Sequence, residues 1–396
     1  MLFLLIISIF IFLAFYCTIL LWLGAGFRRL SDNRLGYTEK AQTNSLPTIS
    51  VIVAARNEAR SLPRLIHCLQ QQDYPSNKIE FCIVDDRSDD GSWEILRQAE
   101  KRYENFRMMR IDDALPDYAP KKRALDHAMR AAHGEILLLT DADCTPPPTW
   151  ARSIAQHYSE GIVMVPGYSP YRFDYPAPAI VKGMLALDYF ALAAVAAAAI
   201  GQGCPLTAAG CNFSYRRKTY FQAGGFAPIR KWVSGDDDLF LLSVAQQKLG
   251  RFAYALAPES FVPCAAPTSM KQFWHQRIRY ASKGLHYSLP MTASLLAVYL
   301  LNVSLVLSAP ALVFGFFDYT AMALLVWVVK SFFEYRFLAK SISLFREKSL
   351  LRYFLPTALA HPFYITLFAF LGAFSRFRWK DDKTPKKHKS EPASHD

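Results

Sequence analysis

The chain alternates between two regimes of hydrophobic patterning. Residues 1–24 are almost wholly apolar, and the first charges are Arg28 and Arg29. A run of that length crosses about 30 Å of hydrocarbon as a helix. Read as a cleaved leader it lacks a basic start and an obvious Ala-x-Ala-like cleavage site, so a retained anchor over residues 1–27 is expected. The arginine pair places the residues after it on the cytoplasmic side. Two more apolar stretches, 289–317 and 319–333, meet at Asp318 and read as a hairpin of two spans. The loop after them carries Arg336, Lys340, Arg346, Lys348 and Arg352, again a cytoplasmic signature. Residues 353–374 are a third apolar candidate, and here the charge rule conflicts with itself. A further crossing would export a tail rich in Lys and Arg. Either the segment is re-entrant or interfacial, or the tail tolerates the far side. The expectation is a membrane region at 288–375 with two to three segments and a basic tail at 376–396. The apolar stretch 184–200 is mostly Ala and holds Asp188, so it reads as a buried or interfacial helix of the soluble part.

Between these flanks the pattern is that of alternating strands and helices. Residues 49–55 form a short β-branched run suited to a buried parallel strand. Leu62, Leu65, Ile66 and Leu69 give helical spacing within 57–72. Residues 79–84 are a second strand that ends on Asp85-Asp86, and Ser88-Asp89-Asp90-Gly91 then leads by turn chemistry into a helix around 93–103. A third strand at 106–111, a helix at 121–132 and a fourth strand at 135–140 come next, the last ending on Asp141-Ala142-Asp143. Such alternation implies a mainly parallel sheet. Ligands of these sheets sit beyond the carboxyl ends of the strands. Arg56-Asn57-Glu58, Asp85-Asp86 and Asp141-x-Asp143 all fall there and converge on one crevice.

Composition narrows the class. Of the 396 residues 52% are hydrophobic, which excludes a disordered chain. The net charge of +12 gathers beside the apolar segments, where anionic lipid heads account for it better than a nucleic acid. The seven cysteines include no C-x-x-C pair, so neither a zinc site nor a disulfide framework is supported. There is no G-x-G-x-x-G after the first strand, no P-loop and no G-x-S-x-G elbow, which disfavours a nicotinamide dehydrogenase, a P-loop NTPase and an α/β-hydrolase.

The acids suggest chemistry. Two carboxylates one residue apart at a strand end hold a divalent cation through hard oxygens, and such a cation clamps a diphosphate. Asp85 or Asp86 can accept hydrogen bonds from a base or ribose. Asp236, Asp237 and Asp238 open an apolar helix at 239–249. One acid suffices for a cap, so at least one of the three is available as a general base. Residues 272–280 are basic and aromatic: an interfacial helix in one reading, and in the other a segment whose Arg277 or Arg279 meets a diphosphate while Tyr280 or Trp274 stacks on a sugar.

In this order the residues resemble the membrane-bound family 2 glycosyltransferases, over about residues 45–290 and the flanking apolar segments. Val53-Ala54-Ala55-Arg56-Asn57-Glu58 is similar to the family's first nucleotide-binding strand end. Asp85-Asp86 with Ser88-Asp89-Asp90-Gly91 resembles its D-D-x-S-x-D-G element. Lys121 with Ala124-Leu125 resembles its G-K-x-x-A-L helix start, with Pro120 in place of the Gly. Asp141-x-Asp143 matches the D-x-D, and Gly210-Cys211-Asn212 its acceptor-side segment. Asp236-Asp237 falls where the family has E-D or G-D-D, and Gln276-x-x-Arg279-Tyr280 where many members have Q-x-x-R-W. The resemblance implies an α/β GT-A nucleotide-diphospho-sugar transferase domain at 45–287 with N-terminal and C-terminal transmembrane helices. It implies an inverting, hexosyl-type transfer at the cytoplasmic membrane face, from a nucleotide-sugar donor (a UDP-sugar first, a GDP-sugar second) to a lipid, lipid-linked or polysaccharide acceptor. Donor contacts are expected at Ala55, Asn57, Glu58, Asp85, Asp86, Lys121 and Asp141. A Mn or Mg ion is expected at Asp143, and acceptor or diphosphate contacts at Gly210, Asn212, Gln276, Arg277, Arg279 and Tyr280. The base is Asp237 by the G-D-D pattern, or Asp236 if the motif sits one earlier. Tyr280 replaces the Trp of chain-building members, which weakens the alternative of a processive polysaccharide synthase. The rival of another class is a non-catalytic membrane scaffold with a relict nucleotide-binding domain.

Overall fold

The computed structural model describes residues 2–40, 46–115, 117–282 and 287–374. The expected tail at 376–396 lies outside them. Strands β1 (Ile49–Ala55), β2 (Ile79–Asp86), β3 (Phe106–Ile111), β4 (Ile136–Leu139), β5 (Ile162–Pro166), β7 (Phe213–Arg216) and β8 (Arg251–Phe252) form one sheet in the order β3-β2-β1-β4-β7-β5-β8. The first four are parallel, and β7 runs antiparallel to both β4 and β5. The short β6 (Tyr171–Arg172) pairs with β9 (Cys264–Ala265).

Period-two alternation divides the strands between two cores. Val51, Val53, Phe81, Ile83 and Leu138 face one side. There they meet α2 (Leu62–Gln70), α3 (Ser92–Arg102) and the fully buried Trp150 of α5 (Trp150–Ala155). Ile52, Val84, Leu137 and Leu139 face the other side. They pack on α4 (Pro120–Ala131) and on the aromatic cluster of Tyr215, Tyr220, Phe226 and Phe240. Tyr220 belongs to α7 (Arg217–Gln222), and Phe240 to α8 (Asp238–Gln246). The helix expected from residue 57 begins at Leu62, because 56–61 form a loop in which Asn57 takes φ +53°.

Beneath the sandwich lie the apolar helices. α1 (Leu2–Lys40), α10 (Leu289–Val313) and α11 (Phe317–Phe345) pack together through Ile9, Leu13, Leu301, Leu305 and Val326. Four described helical stretches are long and apolar enough to cross a membrane, in α1, α6 (Ala179–Gly201), α10 and the residues Lys348–Phe374. Arg336 and Lys340, expected in a loop, continue α11, which ends only where Arg346 turns left-handed. α6 packs both on the sandwich and on the apolar helices. Its Tyr189 joins the sheet core and its Phe190 joins a second cluster with α1 and α11. Gly26 and Gly201 let α1 and α6 cross backbone to backbone, since a Cβ on either would strike the other helix. The last helix, α12 (Phe354–Phe374), meets Tyr335 of α11 at its first residue, while Phe368 packs on Trp274 and Gly372 closes on Ala281. Trp274 and Ala281 belong to α9 (Met270–Ala281), which leaves the sandwich directly. The first residue of α12 thus lies against α11 and its last turns against α9. The C-terminal end of α11 plugs into the sandwich: Phe345 is fully buried among Tyr168, Phe190, Tyr254 and Phe261.

Candidate active site

Strand order sets the crevice. β2, β1 and β4 are neighbours, and their carboxyl ends deliver Asp85-Asp86, Ala55-Arg56-Asn57-Glu58 and Asp141-x-Asp143 side by side. Residues 57–59 and 87–92 are laced together. The amides of Asn57, Glu58 and Ala59 donate to Ser88 Oγ, Ser92 Oγ and Asp90, and Asn57 Oδ1 accepts from the Asp89 amide. Ala55 is buried in the core, so only its backbone faces the crevice.

The two acids of β2 differ. Asp86 is held by Arg87 at 2.9 Å and Arg56 at 3.8 Å. Asp85 is fully buried, with Arg110 at 3.8 Å, and its Oδ1 has no hydrogen-bond partner. Burial pushes its carboxyl up, against the opposing pull of Ser88 and Arg110. A buried acceptor without a donor is costly, and a ligand N–H would satisfy it.

The centre of the site is an ammonium between two acids. Lys121, at the start of α4, lies 2.9 Å from Asp141 and 3.0 Å from Asp236. Burial alone would lower its pKa, but the two carboxylates outweigh this and hold it well above the ordinary lysine value. The three adjacent aspartates separate by role. Asp237 is the N-cap of α8: its Oδ1 accepts from the Asp238 amide and its Oδ2 from the Gly210 amide at 3.2 Å. Asp238 accepts from the Leu239 amide and the Tyr287 hydroxyl. Asp236 is the member that shares a cation with the D-x-D.

Lys122, beside Lys121 on α4, is not legible in the sequence, because a second lysine reads as a solvated neighbour. It is fully buried and donates to the carbonyls of Trp232 and Ser234, at 2.5 and 2.6 Å. It thereby fixes the loop that presents Asp236. Arg172, equally silent in the sequence, donates to the Asp143 carbonyl and to Thr145 Oγ1, steadying the D-x-D turn.

The acceptor-side residues divide. Asn212 is fully buried, and its carboxamide is consumed by Trp150 Nε1 and by the carbonyls of Tyr168 and Ser260. It is a core brace, which corrects its expected place in the acceptor site. Arg277 is buried too, 2.7 Å from Asp188 of α6 and over the rings of Phe273, Tyr280 and Tyr364, so it faces away from the crevice and not toward a diphosphate. Gln276 accepts from the Tyr171 hydroxyl. Arg279 stacks on Tyr280 and lies within electrostatic reach of Asp236, Asp141 and Asp237. It is the arginine on the crevice side.

Among the described residues no three His, Cys, Asp or Glu side chains come together as a metal cage. A cation of the Mg or Mn kind needs only one or two carboxylates beside waters and substrate phosphates. Asp143, with Asp141, would hold it and so help neutralise a diphosphate.

A mixed sheet with acids at successive strand ends, facing a basic helix start, is an α/β architecture of the GT-A class. Residues 50–231, just under half of the chain, match the model of glycosyl transferase family 2, and over this stretch the chain is similar to that family. Over 135 residues the chain is 32% identical to the glycosyltransferase AglE of Haloferax volcanii, a match covering 34% of this chain and 42% of that one. Over 255 residues it is 26% identical to a beta-monoglucosyldiacylglycerol synthase of Synechocystis, covering 62% of this chain and 50% of the relative. The chain thus spans half or less of the length of these relatives. The fold is similar to that of the mannosyltransferase PcManGT from Pyrobaculum calidifontis, solved in complex with GDP-Man and Mn2+. That likeness has a TM-score of 0.53 at 19% identity and covers 91% of this chain and 99% of that one.

Proposed function

We propose that the chain transfers a hexosyl group, with inversion, from a nucleotide-diphosphate donor to a lipid or lipid-linked acceptor at the cytoplasmic face of a membrane. The observation that carries this reading is Lys121 held between Asp141 and Asp236. It brings the D-x-D, a cation suited to a leaving diphosphate and a carboxylate suited to a base within one hydrogen-bond radius. The nucleobase lies against Asp85, whose Oδ1 awaits a donor. Lys121 and Arg279 meet the charge that develops on the departing diphosphate. The acceptor hydroxyl attacks the anomeric carbon from the opposite side, and its proton passes to a carboxylate. We assign that role to Asp236 rather than Asp237, because both oxygens of Asp237 hold backbone amides. An α-linked donor then gives a β-linked product. A divalent cation at Asp143, when bound, supplies further charge for the diphosphate.

The membrane reading rests on α1 and α10, both long and apolar enough to cross, with α11 packed against them as the return limb of a hairpin.

Thermal unfolding of the detergent-solubilised full chain against UDP, GDP, CDP and ADP, each with and without Mn2+, tests the proposal. One nucleotide at about a hundred times its dissociation constant adds roughly 2.7 kcal/mol. Metal-dependent stabilisation by a single nucleoside diphosphate fixes the donor class. No stabilisation of folded protein by any of them favours the relict scaffold, and polymer products in a transfer assay favour the processive alternative.

A further inference from the structure

Four charged or titratable side chains gather where α1, α11 and α12 meet. Lys330 of α11 is fully buried and lies 2.8 Å from Glu334 one turn later, and the Tyr16 hydroxyl of α1 donates to the same Glu334 oxygen at 2.7 Å. Ionisable side chains inside an apolar bundle are costly and commonly serve a pathway or a binding site. His361 of α12 is within electrostatic reach of Lys330, Glu334 and Asp188. Its Nδ1 is buried without a hydrogen-bond partner, as is the hydroxyl of Ser331. Asp188 in turn pairs with Arg277 on α9, two residues before the crevice-facing Arg279. A polar seam therefore runs from the apolar helices, under the sandwich floor, toward the candidate active site.

We infer that this seam seats the head group of an uncharged, hydroxyl-bearing lipid that serves as the acceptor. The inference rests on the reading of the chain as a lipid glycosyltransferase and adds the class of lipid. The charge pattern selects it. Each cation of the seam has its own carboxylate, Arg277 with Asp188 and Lys330 with Glu334, so an anionic phosphate head finds no net positive charge there. A hydroxyl both donates and accepts. It can meet the unsatisfied nitrogen of His361 while leaving both ion pairs closed.

Dioleoylglycerol and dioleoylphosphatidic acid carry the same chains and differ only by the phosphate. Native mass spectrometry of the full chain in detergent, titrated with each, reads the inference without a sugar donor. The expected result is preferential retention of dioleoylglycerol. The triple variant Tyr16→Phe/Lys330→Met/Glu334→Met removes both charges together with the hydroxyl that donates to them, and His361→Leu is a milder second variant. Both are expected to bind dioleoylglycerol about tenfold more weakly, with the nucleotide-induced shift in unfolding temperature kept. Preference for the phosphatidic acid, or unchanged dioleoylglycerol binding in both variants, overturns the inference and leaves the pair as a tie between helices. Loss of nucleotide stabilisation in the parent protein is a separate outcome and strikes the glycosyltransferase reading instead.

Discussion

The Lys121 ammonium lies 3.0 Å from the Asp236 carboxylate, and this ion pair joins the start of α4 to the loop that precedes α8. A base shared with a lysine is held in place until a diphosphate competes for the cation. Asp236→Asn should therefore lower transfer by about 10²–10⁴, the usual contribution of a general base, with nucleotide binding retained. Asp237→Asn should instead behave as a weakened helix cap, at about 1 kcal/mol of stability, and keep most of the transfer rate. Initial rates and unfolding temperatures of the two variants decide between them. A dead Asp237→Asn beside an active Asp236→Asn returns the role to Asp237.

Lys122 acts through the loop and not on substrate. Lys122→Met leaves the carbonyls of Trp232 and Ser234 without their donor, a loss of about 1–3 kcal/mol. Because Asp236 hangs from this loop, kcat should fall more than donor affinity. Equal loss of both, or of affinity alone, would contradict a positioning role.

Asp85 gives a pH signature. Its folded carboxyl is pushed up by burial, so between its unfolded and folded pKa values the folded state binds more protons. Stability then falls as pH rises through that window. Asp85→Asn should raise the unfolding temperature of the nucleotide-free protein near neutrality, lose that gain at acid pH, and weaken nucleotide binding. An unfolding temperature that drops equally at both pH values would mark Asp85 as structural.

Asn212→Ala should cost about 3 kcal/mol, since it orphans the Trp150 indole N–H and two buried carbonyls. The transfer rate per folded molecule should survive. Chemical denaturation paired with an activity assay on the folded fraction tests both halves.

Chelation should abolish metal-dependent nucleotide binding, and Mn2+ or Mg2+ should restore it. In Asp143→Ala the restoration should fail. Full restoration in that variant would remove Asp143 from the ion's ligands.

The strands of the parallel half are legible in the sequence because buried β-branched runs ending in acids have few other readings. β1 and β3 fall at the expected residues, and β4 is one residue shorter at each end. The second half of the sheet is not legible in the same way. β8 and β9 are two residues long, and their pairing depends on neighbours distant in sequence. In the site, the positions of Asp141 and Lys121 follow from strand ends and a helix start, which local pattern reports. The division among Asp236, Asp237 and Asp238 depends on which amide each side chain meets, and a run of identical residues carries no such information. Arg277 and Arg279 illustrate the same limit. Two residues apart on a helix, they point to different faces, and only the position of Asp188 tells which is spent.

The burial of Phe345 in the underside of the sandwich has a mechanical consequence. A ring locked among Tyr168, Phe190, Tyr254 and Phe261 makes α11 a rigid strut, while α1 is braced against α6 by a glycine crossing. The catalytic crevice thus stands at a fixed height above the apolar helices and cannot swing on a tether to find its acceptor. A hydroxyl that reacts must be lifted to that height, so reach along the acceptor, counted in bonds between its anchor and its reactive oxygen, becomes a measure by which substrates are sorted.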